Sequence, residues 1–416
     1  MAERKENERV EQRRDLLAWF DLQQRDLPWR RSRDPYRVWV SEIMLQQTRV
    51  ETARPYFERF IRAFPSVEDL ASAEVEAVLS QWSGLGYYQR ARRLHAAARQ
   101  IVAGSARFPA SVEEWLQLPG VGPYTAAAIA SIVLGVPEPA VDGNVMRVVG
   151  RLLALEEDPR KTSGHRAIQS EARHLLDLQR PGDSNQALME IGATICLPRR
   201  PRCSLCPLEP GCGAAAAGDP ELYPVAGRRP PVSRHFRQVA VVESRGRVLL
   251  FRRPGNSPRM AGLWEFPWMD GRARGKLESA LGQRYGGRWK IGSTRGRVRH
   301  SVTNRSFQIE VFEANSSFES EVAEGPEAGW FSSSDLTGLP VTGLVGKVRK
   351  MLEDSTSWPA DSRNQPTNLS SLSRSRREPI AESSLSNREE DAYLTSRIPS
   401  ATLRGMARTT APEVCA

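Results

Sequence analysis

No stretch of this 416-residue chain approaches the ~20 consecutive apolar residues that a membrane span requires. The opening residues are charged and lack the apolar centre of a secretory signal. Both absences lead us to expect an intracellular, cytoplasmic protein. Cysteine is scarce: there are five, and four of them fall between Cys196 and Cys212. So lopsided a distribution excludes the disulfide framework of a small secreted domain. Acidic residues are outnumbered, 49 Asp and Glu against 59 Lys and Arg, for a net charge of +10. Residues 353–416 hold eight Arg and nine Asp or Glu, a balance of −1, so the remainder carries +11. A polyanionic partner is the simple reading of that excess; a merely soluble basic protein is the blander one. Strand-like alternation is missing before residue 236.

Helical periodicity fills that first half. Residues 1–14 are mostly charged and expected to fray, after which Leu16, Leu17 and Phe20 begin a buried helix. Arg25 to Arg30 reads as a loop. Asp34-Pro35 supplies a cap and a first-turn proline, so a helix is expected from there to about Gln46. Thr48-Arg49-Val50-Glu51 reads as a capping box. It precedes Ala53, Tyr56, Phe57, Phe60, Ile61 and Phe64 at helical spacing, and this helix stops at Pro65. Val75, Val78, Leu79 and Trp82 mark a short helix, Gly84-Leu85-Gly86 interrupts it, and Tyr87 to Val102 resumes the pattern. Ser111 and Glu114 read as a second capping box. Residues 213–235 turn Ala-rich and then basic and Pro-rich. Beyond them, Val239 to Val242 and Val248 to Phe251 read as strands about a turn at Arg245-Gly246, and Phe307, Ile309 and Val311 alternate like a half-buried strand. The last residues, with twelve serines and few large apolar side chains, are expected to be disordered.

The stretch that organises the chain is Leu118-Pro119-Gly120-Val121-Gly122-Pro123-Tyr124-Thr125. Apolar runs lead into it from Val112 and out of it to Leu134. Two breaker pairs one residue apart predict a helix, a tight hairpin and a helix. Gly120 and Gly122 let the backbone turn sharply and bare the tip. Amide N–H groups at a helix start form an anion site, and on a basic chain that anion is a nucleic-acid phosphate. A plain helical hairpin is the competing reading. The sequel counts against it: a Pro-rich loop after Gly135 leads to Val141-Asp142-Gly143-Asn144-Val145, which sets a carboxylate ahead of another helix. These motifs resemble the helix-hairpin-helix DNA glycosylases. Trp39-Val40-Ser41-Glu42-Ile43-Met44-Leu45-Gln46-Gln47-Thr48 narrows the resemblance to the adenine-specific mismatch glycosylases, the MutY family, over roughly residues 15–350.

Excising a base builds oxocarbenium charge on the sugar and requires the base to leave neutral. Two carboxylates in different protonation states answer both needs. Glu42 sits among Val38, Val40, Ile43 and Leu45, a setting that raises its pKa and suits it to protonate N7 of adenine. Asp142, at a helix N-terminus where the dipole favours the anion, would stabilise the cationic sugar. The blander readings are an exposed helix face for Glu42 and a simple N-cap for Asp142. The resemblance assigns both of them catalytic roles. Tyr124 stands where the related lyases carry a Schiff-base lysine, and Met146 offers no amine either. The resemblance therefore implies base excision without efficient strand cleavage, with Tyr124 supporting Asp142. It also implies a substrate-binding set. Arg25, Trp29 and Arg30 would rim the adenine pocket, Gln186 would contact the adenine, and Asn144 would lie beside Asp142. Gln47, next to Leu45, would intercalate, and Tyr87 would wedge beside the opposite base. Without the resemblance, each of these reads as packing or surface.

Cys196, Cys203, Cys206 and Cys212 follow C-x6-C-x2-C-x5-C, which by spacing alone can hold zinc or an iron–sulfur cluster. The resemblance, here to endonuclease III and its relatives, implies one structural 4Fe–4S cluster. The loop tethered between the first two cysteines would project Arg199, Arg200 and Arg202 toward DNA phosphates, as Gly120 and Gly122 would. Gly262-Leu263-Trp264-Glu265-Phe266-Pro267 looks like the entry of a Nudix fold, but the downstream R-E-x-x-E-E metal box is absent, so pyrophosphate hydrolysis is not expected. In the family this domain reads 8-oxoguanine; the aligned residues here are His300, Ser301, Thr303 and Asn304, with Val302 in place of a phenylalanine. The expected architecture is multidomain. It has an N-terminal segment at 1–30 packing on the cluster domain, an all-α helix-hairpin-helix domain at 31–137, and an iron–sulfur domain at 138–226. A linker at 227–235, an α/β Nudix-like domain at 236–352 and a tail at 353–416 follow. The expected partner is double-stranded DNA with A:8-oxoguanine or A:G mispairs, bound by a monomer. A thymine- or pyrimidine-specific relative and a non-catalytic lesion-binding protein are the alternatives.

Overall fold

The computed structural model describes residues 2–354 apart from 105, 226, 228–230, 258–259, 303 and 318–326. The stretch expected to be a disordered tail lies almost wholly outside the described residues, as does Thr303. Among the described residues no helix is long and apolar enough to cross a membrane.

The first half is helical. It runs through α1 (Ala2–Gln23), α2 (Pro35–Leu45), α3 (Val50–Ala63), α4 (Val67–Ser72), α5 (Val75–Gln81) and α6 (Gln89–Ala103). Then come α7 (Val112–Leu116), α8 (Pro123–Ile129), α9 (Gly143–Leu152), α10 (Thr162–His174), α11 (Pro181–Thr194) and α12 (Gly213–Ala216). Asp34 caps α2 as its sequence suggests, its side chain accepting from Arg37 N at 2.7 Å. Thr48 to Glu51 is not a capping box. The N-cap of α3 is Arg49, which makes no side-chain cap bond, and the Thr48 hydroxyl is engaged by Arg90 instead. At Ser111 only half the box forms: Ser111 Oγ accepts from Glu114 N, but Glu114 reaches back to Ala110 N. A complete box sits unannounced at Ser66 and Asp69, a pairing of the kind that contributes about 1 kcal/mol. Tyr87, expected to open α6, lies outside it at φ 50°.

Two buried clusters make the helical core. One gathers Trp39, Phe57, Phe60, Trp82, Leu94 and Trp115, and the other Leu16, Phe20, Val149, Ile168, Leu188 and Ile191. After α8 the chain continues as a π-helical turn, Ala130–Leu134, and stops at Gly135 in the left-handed region, φ 71°.

The second half is built on a seven-stranded mixed sheet. Its strands are β1 (Ser233–Ser244), β2 (Arg247–Arg252), β3 (Trp264–Glu265), β4 (Trp268–Asp270), β5 (Trp289–Val302), β6 (Arg305–Ser316) and β7 (Ala328–Phe331). β1 starts inside the stretch read as a linker. The main order is β3-β2-β1-β6-β5, with β4 on β1 and β7 on β2; β1 and β6 run parallel and the other pairs antiparallel. Helix α14 (Gly343–Asp354) covers one face against Val239, Val241, Val248, Leu250, Ile309 and Val311. Helix α13 (Leu277–Tyr285) covers the other against Ala240, Val242, Leu249, Phe251 and Phe312. Burial on both faces is why the β1 and β2 segments read as unbroken apolar runs.

The halves touch along α5 and α6. Leu263, just before β3, is fully buried in the first helical cluster. Arg92 Nη2 donates to Ala261 O at 2.6 Å, Tyr88 Oη donates to Val341 O at 2.8 Å, and Arg252 pairs with Glu76.

Candidate active site

A cleft of about 1550 Å³ opens where the two helical clusters meet, larger than the usual 300–1,000 Å³ small-molecule pocket. Helix α2 brings Glu42 to it, the first turn of α8 brings Tyr124, and the N-terminus of α9 brings Asp142. Arg25, Trp29, Arg30, Leu45, Gln47, Asn144 and Gln186 line it too, with Gly120 and Gly122.

Glu42 is only 6% exposed. Burial pushes its carboxyl up to about 7, against the hydrogen bond from Tyr124 and with help from the nearby charge of Asp142. The Tyr124 hydroxyl donates to Glu42 Oε2 at 2.7 Å. This corrects the expectation that Tyr124 supports Asp142: the hydroxyl goes to the other carboxylate. Buried beside both acids, Tyr124 is held well above the ordinary phenol range.

Asp142 is the N-cap of α9. Its Oδ1 accepts from Asn144 N at 2.9 Å and Val145 N at 2.7 Å, and its Oδ2 accepts from Asn144 Nδ2 at 2.9 Å. Burial nonetheless raises its pKa against those three donors, so desolvation outweighs the helix-end effect that the sequence suggested. Arg147 steadies this corner, donating to Asn144 Oδ1, Gly192 O and Cys196 O.

Arg25 and Arg30 face Glu190, which sequence reasoning missed. Arg25 Nε reaches Glu190 Oε1 at 2.6 Å and Arg30 Nη2 reaches Oε2 at 2.8 Å. The Glu190 side chain is 1% exposed, and burial alone would raise its pKa. The two guanidiniums overcome that and lower it. Trp29 packs edge-on against Phe57, with ring centroids 5.3 Å apart.

The remaining expected residues are placed as follows. Tyr87 is exposed and does not line the cleft; like Gln47 it has positive φ. Arg199, Arg200 and Arg202 are exposed on their loop, where Arg200 N donates to Glu221 Oε1. His300, Ser301 and Asn304 sit around the β5–β6 turn and do not line the cleft. Burial, then the charges of Lys347 and Arg237, lower the pKa of His300.

The four cysteines line one small pocket with Val148, Leu152, Ile195 and Leu208. Burial, then the neighbouring thiols, push Cys206 up to about 12. Arg151 Nη1 donates to Cys196 Sγ at 3.3 Å. Among the described residues no three His, Cys, Asp or Glu groups converge on a single metal ion.

Residues 40–173 match a family described as the HhH-GPD superfamily base excision DNA repair proteins, and residues 238–351 match the NUDIX domain. The chain is 40% identical over 308 residues to an adenine DNA glycosylase of Rattus norvegicus, covering 61% of this chain and 60% of that one. It is 40% identical to an adenine DNA glycosylase of Homo sapiens, covering 61% and 57%. To one of Arabidopsis thaliana it is 39% identical, covering 63% and 48%. The chain thus spans three-fifths or less of the length of these three relatives. A solved thermostable thymine-DNA glycosylase is 29% identical with a TM-score of 0.47, covering 51% of this chain and 98% of that one.

Proposed function

We propose, from the match of residues 40–173 to the HhH-GPD superfamily of base excision DNA repair proteins, that this chain is a member of that superfamily and excises adenine mispaired with 8-oxoguanine or guanine. The observation that carries this reading is the pair of carboxylates in one cleft, in unlike settings. Glu42 is buried, holds its proton near neutral pH and is hydrogen-bonded to Tyr124. Asp142, although burial raises its pKa, has three donors aimed at its oxygens that counter that rise and favour the anion. Glu42 gives its proton to N7 of the adenine, so the base leaves neutral. The Asp142 carboxylate faces the sugar and stabilises its developing cation. The base is first drawn out of the stack into the cleft, at a cost of a few kcal/mol. Arg25, Arg30 and Glu190 offer donors and an acceptor to its edge, and Gln186 joins them. With Tyr124 at the hairpin and no lysine among the described residues that line the cleft, there is no amine there for a Schiff base, so the strand stays intact.

Gly120, Gly122 and the exposed Arg199, Arg200 and Arg202 hold phosphates, and His300, Ser301, Thr303 and Asn304 read the opposite base. Cys196, Cys203, Cys206 and Cys212 hold a 4Fe–4S cluster whose part is to brace the loop that bears those arginines. A DNA duplex is the partner and the protein acts as a monomer.

The test is a glycosylase assay on duplexes carrying A:8-oxoguanine, A:G and T:G, with and without alkali. Strand breaks in the adenine mispairs only after alkali treatment are expected. Activity confined to T:G would replace adenine with a pyrimidine substrate. A wild type that cleaves no glycosidic bond, and binds DNA as Glu42→Gln does, would remove the catalytic reading.

A further inference from the structure

Two residues, Gln47 in the cleft wall and the exposed Tyr87, hold a backbone conformation that costs an ordinary residue about 1–3 kcal/mol: φ 56° and φ 50°. They lie on different loops, one after α2 and one before α6. A single guanidinium touches both loops. Arg90 Nη1 donates to Ile43 O at 3.0 Å, to Met44 O at 2.8 Å and to Gln46 O. Its Nη2 donates to Thr48 Oγ1 at 3.2 Å and to Gly86 O at 3.2 Å. The guanidinium also sits 5.4 Å from the Tyr87 ring centroid and 5.5 Å from that of Trp82.

Each contact has a physical reason. The last carbonyls of α2 have no partner within the helix, and a cation suits that end of the dipole. The two terminal nitrogens of a rigid fork, four N–H between them, can serve two loops at once, which an ammonium on one stem cannot; Nε has no partner among the described residues. Arg90 is half-buried, and burial pulls its pKa down to about 10.

We propose that Arg90 is the positioning residue that sets Gln47 and Tyr87 as one rigid wedge, so that the stack is entered by Gln47 and, beside the opposite base, by Tyr87 together. The proposal rests on the glycosylase reading above and on the resemblance that assigns Gln47 and Tyr87 to the stack. By capping α2 it also fixes the helix that carries Glu42, so wedge and proton donor share one anchor.

The test uses full-length protein in the Glu42→Gln background and an A:8-oxoguanine duplex with 2-aminopurine next to the target adenine. The fluorescence rise on binding reports unstacking. Arg90→Lys keeps the charge and loses the fork. With its melting temperature within a few degrees of the parent, it is expected to lose most of that rise. In the active background its single-turnover excision is expected to fall about ten- to a hundredfold. Thr48→Val removes one acceptor of the fork while keeping the side-chain shape, and is expected to cost about two- to fivefold in the same direction. A folded Arg90→Lys with the full fluorescence rise overturns the proposal. If Arg90→Lys does not fold, Thr48→Val decides, and an unchanged rise there overturns it equally. A wild type that excises adenine beside an unaffected Arg90→Lys sinks the wedge alone; a wild type that excises no base sinks both readings.

Discussion

Replacing Tyr124 with phenylalanine removes one hydroxyl and leaves the ring. That hydroxyl donates to Glu42 Oε2 at 2.7 Å and so stabilises the ionised carboxylate, opposing the burial that pushes Glu42 up to about 7. A hydrogen bond to a charged group contributes about 1.5–3 kcal/mol, and about 1.4 kcal/mol is one pKa unit. Losing it should raise the Glu42 pKa by about one unit or more, to roughly 8. On the proposed mechanism excision uses the protonated form, so the rate should fall as pH rises through this pKa. At about pH 8 the protonated fraction should climb from roughly a tenth to roughly a half, making Tyr124→Phe about fivefold faster there. At about pH 6 both proteins are almost fully protonated and should run alike. Single-turnover excision from an A:8-oxoguanine duplex, followed from about pH 5.5 to 9, measures the alkaline midpoint. A midpoint that stays near 7 or moves down would refute the claim that Tyr124 holds the Glu42 carboxylate.

Three further outcomes follow from the same geometry. Because the folded pKa of Glu42 is raised, its contribution favours the fold in acid and is lost as pH rises through about 7. Glu42→Gln should therefore match the wild type near pH 5 and exceed it by up to about 3 kcal/mol near pH 8.5 in urea unfolding; equal offsets at both would contradict the burial argument. Gly120→Ala should cost about 1–2 kcal/mol in a thermal melt, because φ is +85° and a Cβ would lie 2.8 Å from Arg93 Cβ; an unchanged melt counts against the hairpin geometry. Cys206→Ser should strip iron and labile sulfide from the purified protein along with its visible absorption, and a wild type carrying zinc instead would overturn the cluster.

Much of this was legible because the signals are local. Asp34 before Pro35, Ser111 before Val112 and the Gly-Val-Gly hairpin each announce an element through their own neighbours. Glu42 could be read as buried because the residues around it on α2 are apolar. The failures are non-local. Thr48 looks like a cap in sequence, but Arg90, 42 residues away, takes its hydroxyl. Glu190 gives no signal on an apolar helix, since the arginines that justify its burial lie 165 and 160 residues earlier. The parallel pairing of β1 with β6 has no local signature. The unbroken apolar runs in β1 and β2 hint only that both faces are covered, not by what. The pKa of Asp142 is a contest between two opposing effects whose sizes depend on surrounding atoms that a sequence does not list.

Leu263 belongs by chain order to the sheet and by packing to the helices. Severing the polypeptide between its halves would therefore not liberate two finished bodies: it would pull a plug from the helical one and leave a hole the size of a leucine. Calorimetry of the intact chain should accordingly show a single endotherm, with the sheet and the bundle melting as partners, and the isolated helical fragment should surrender at a lower temperature.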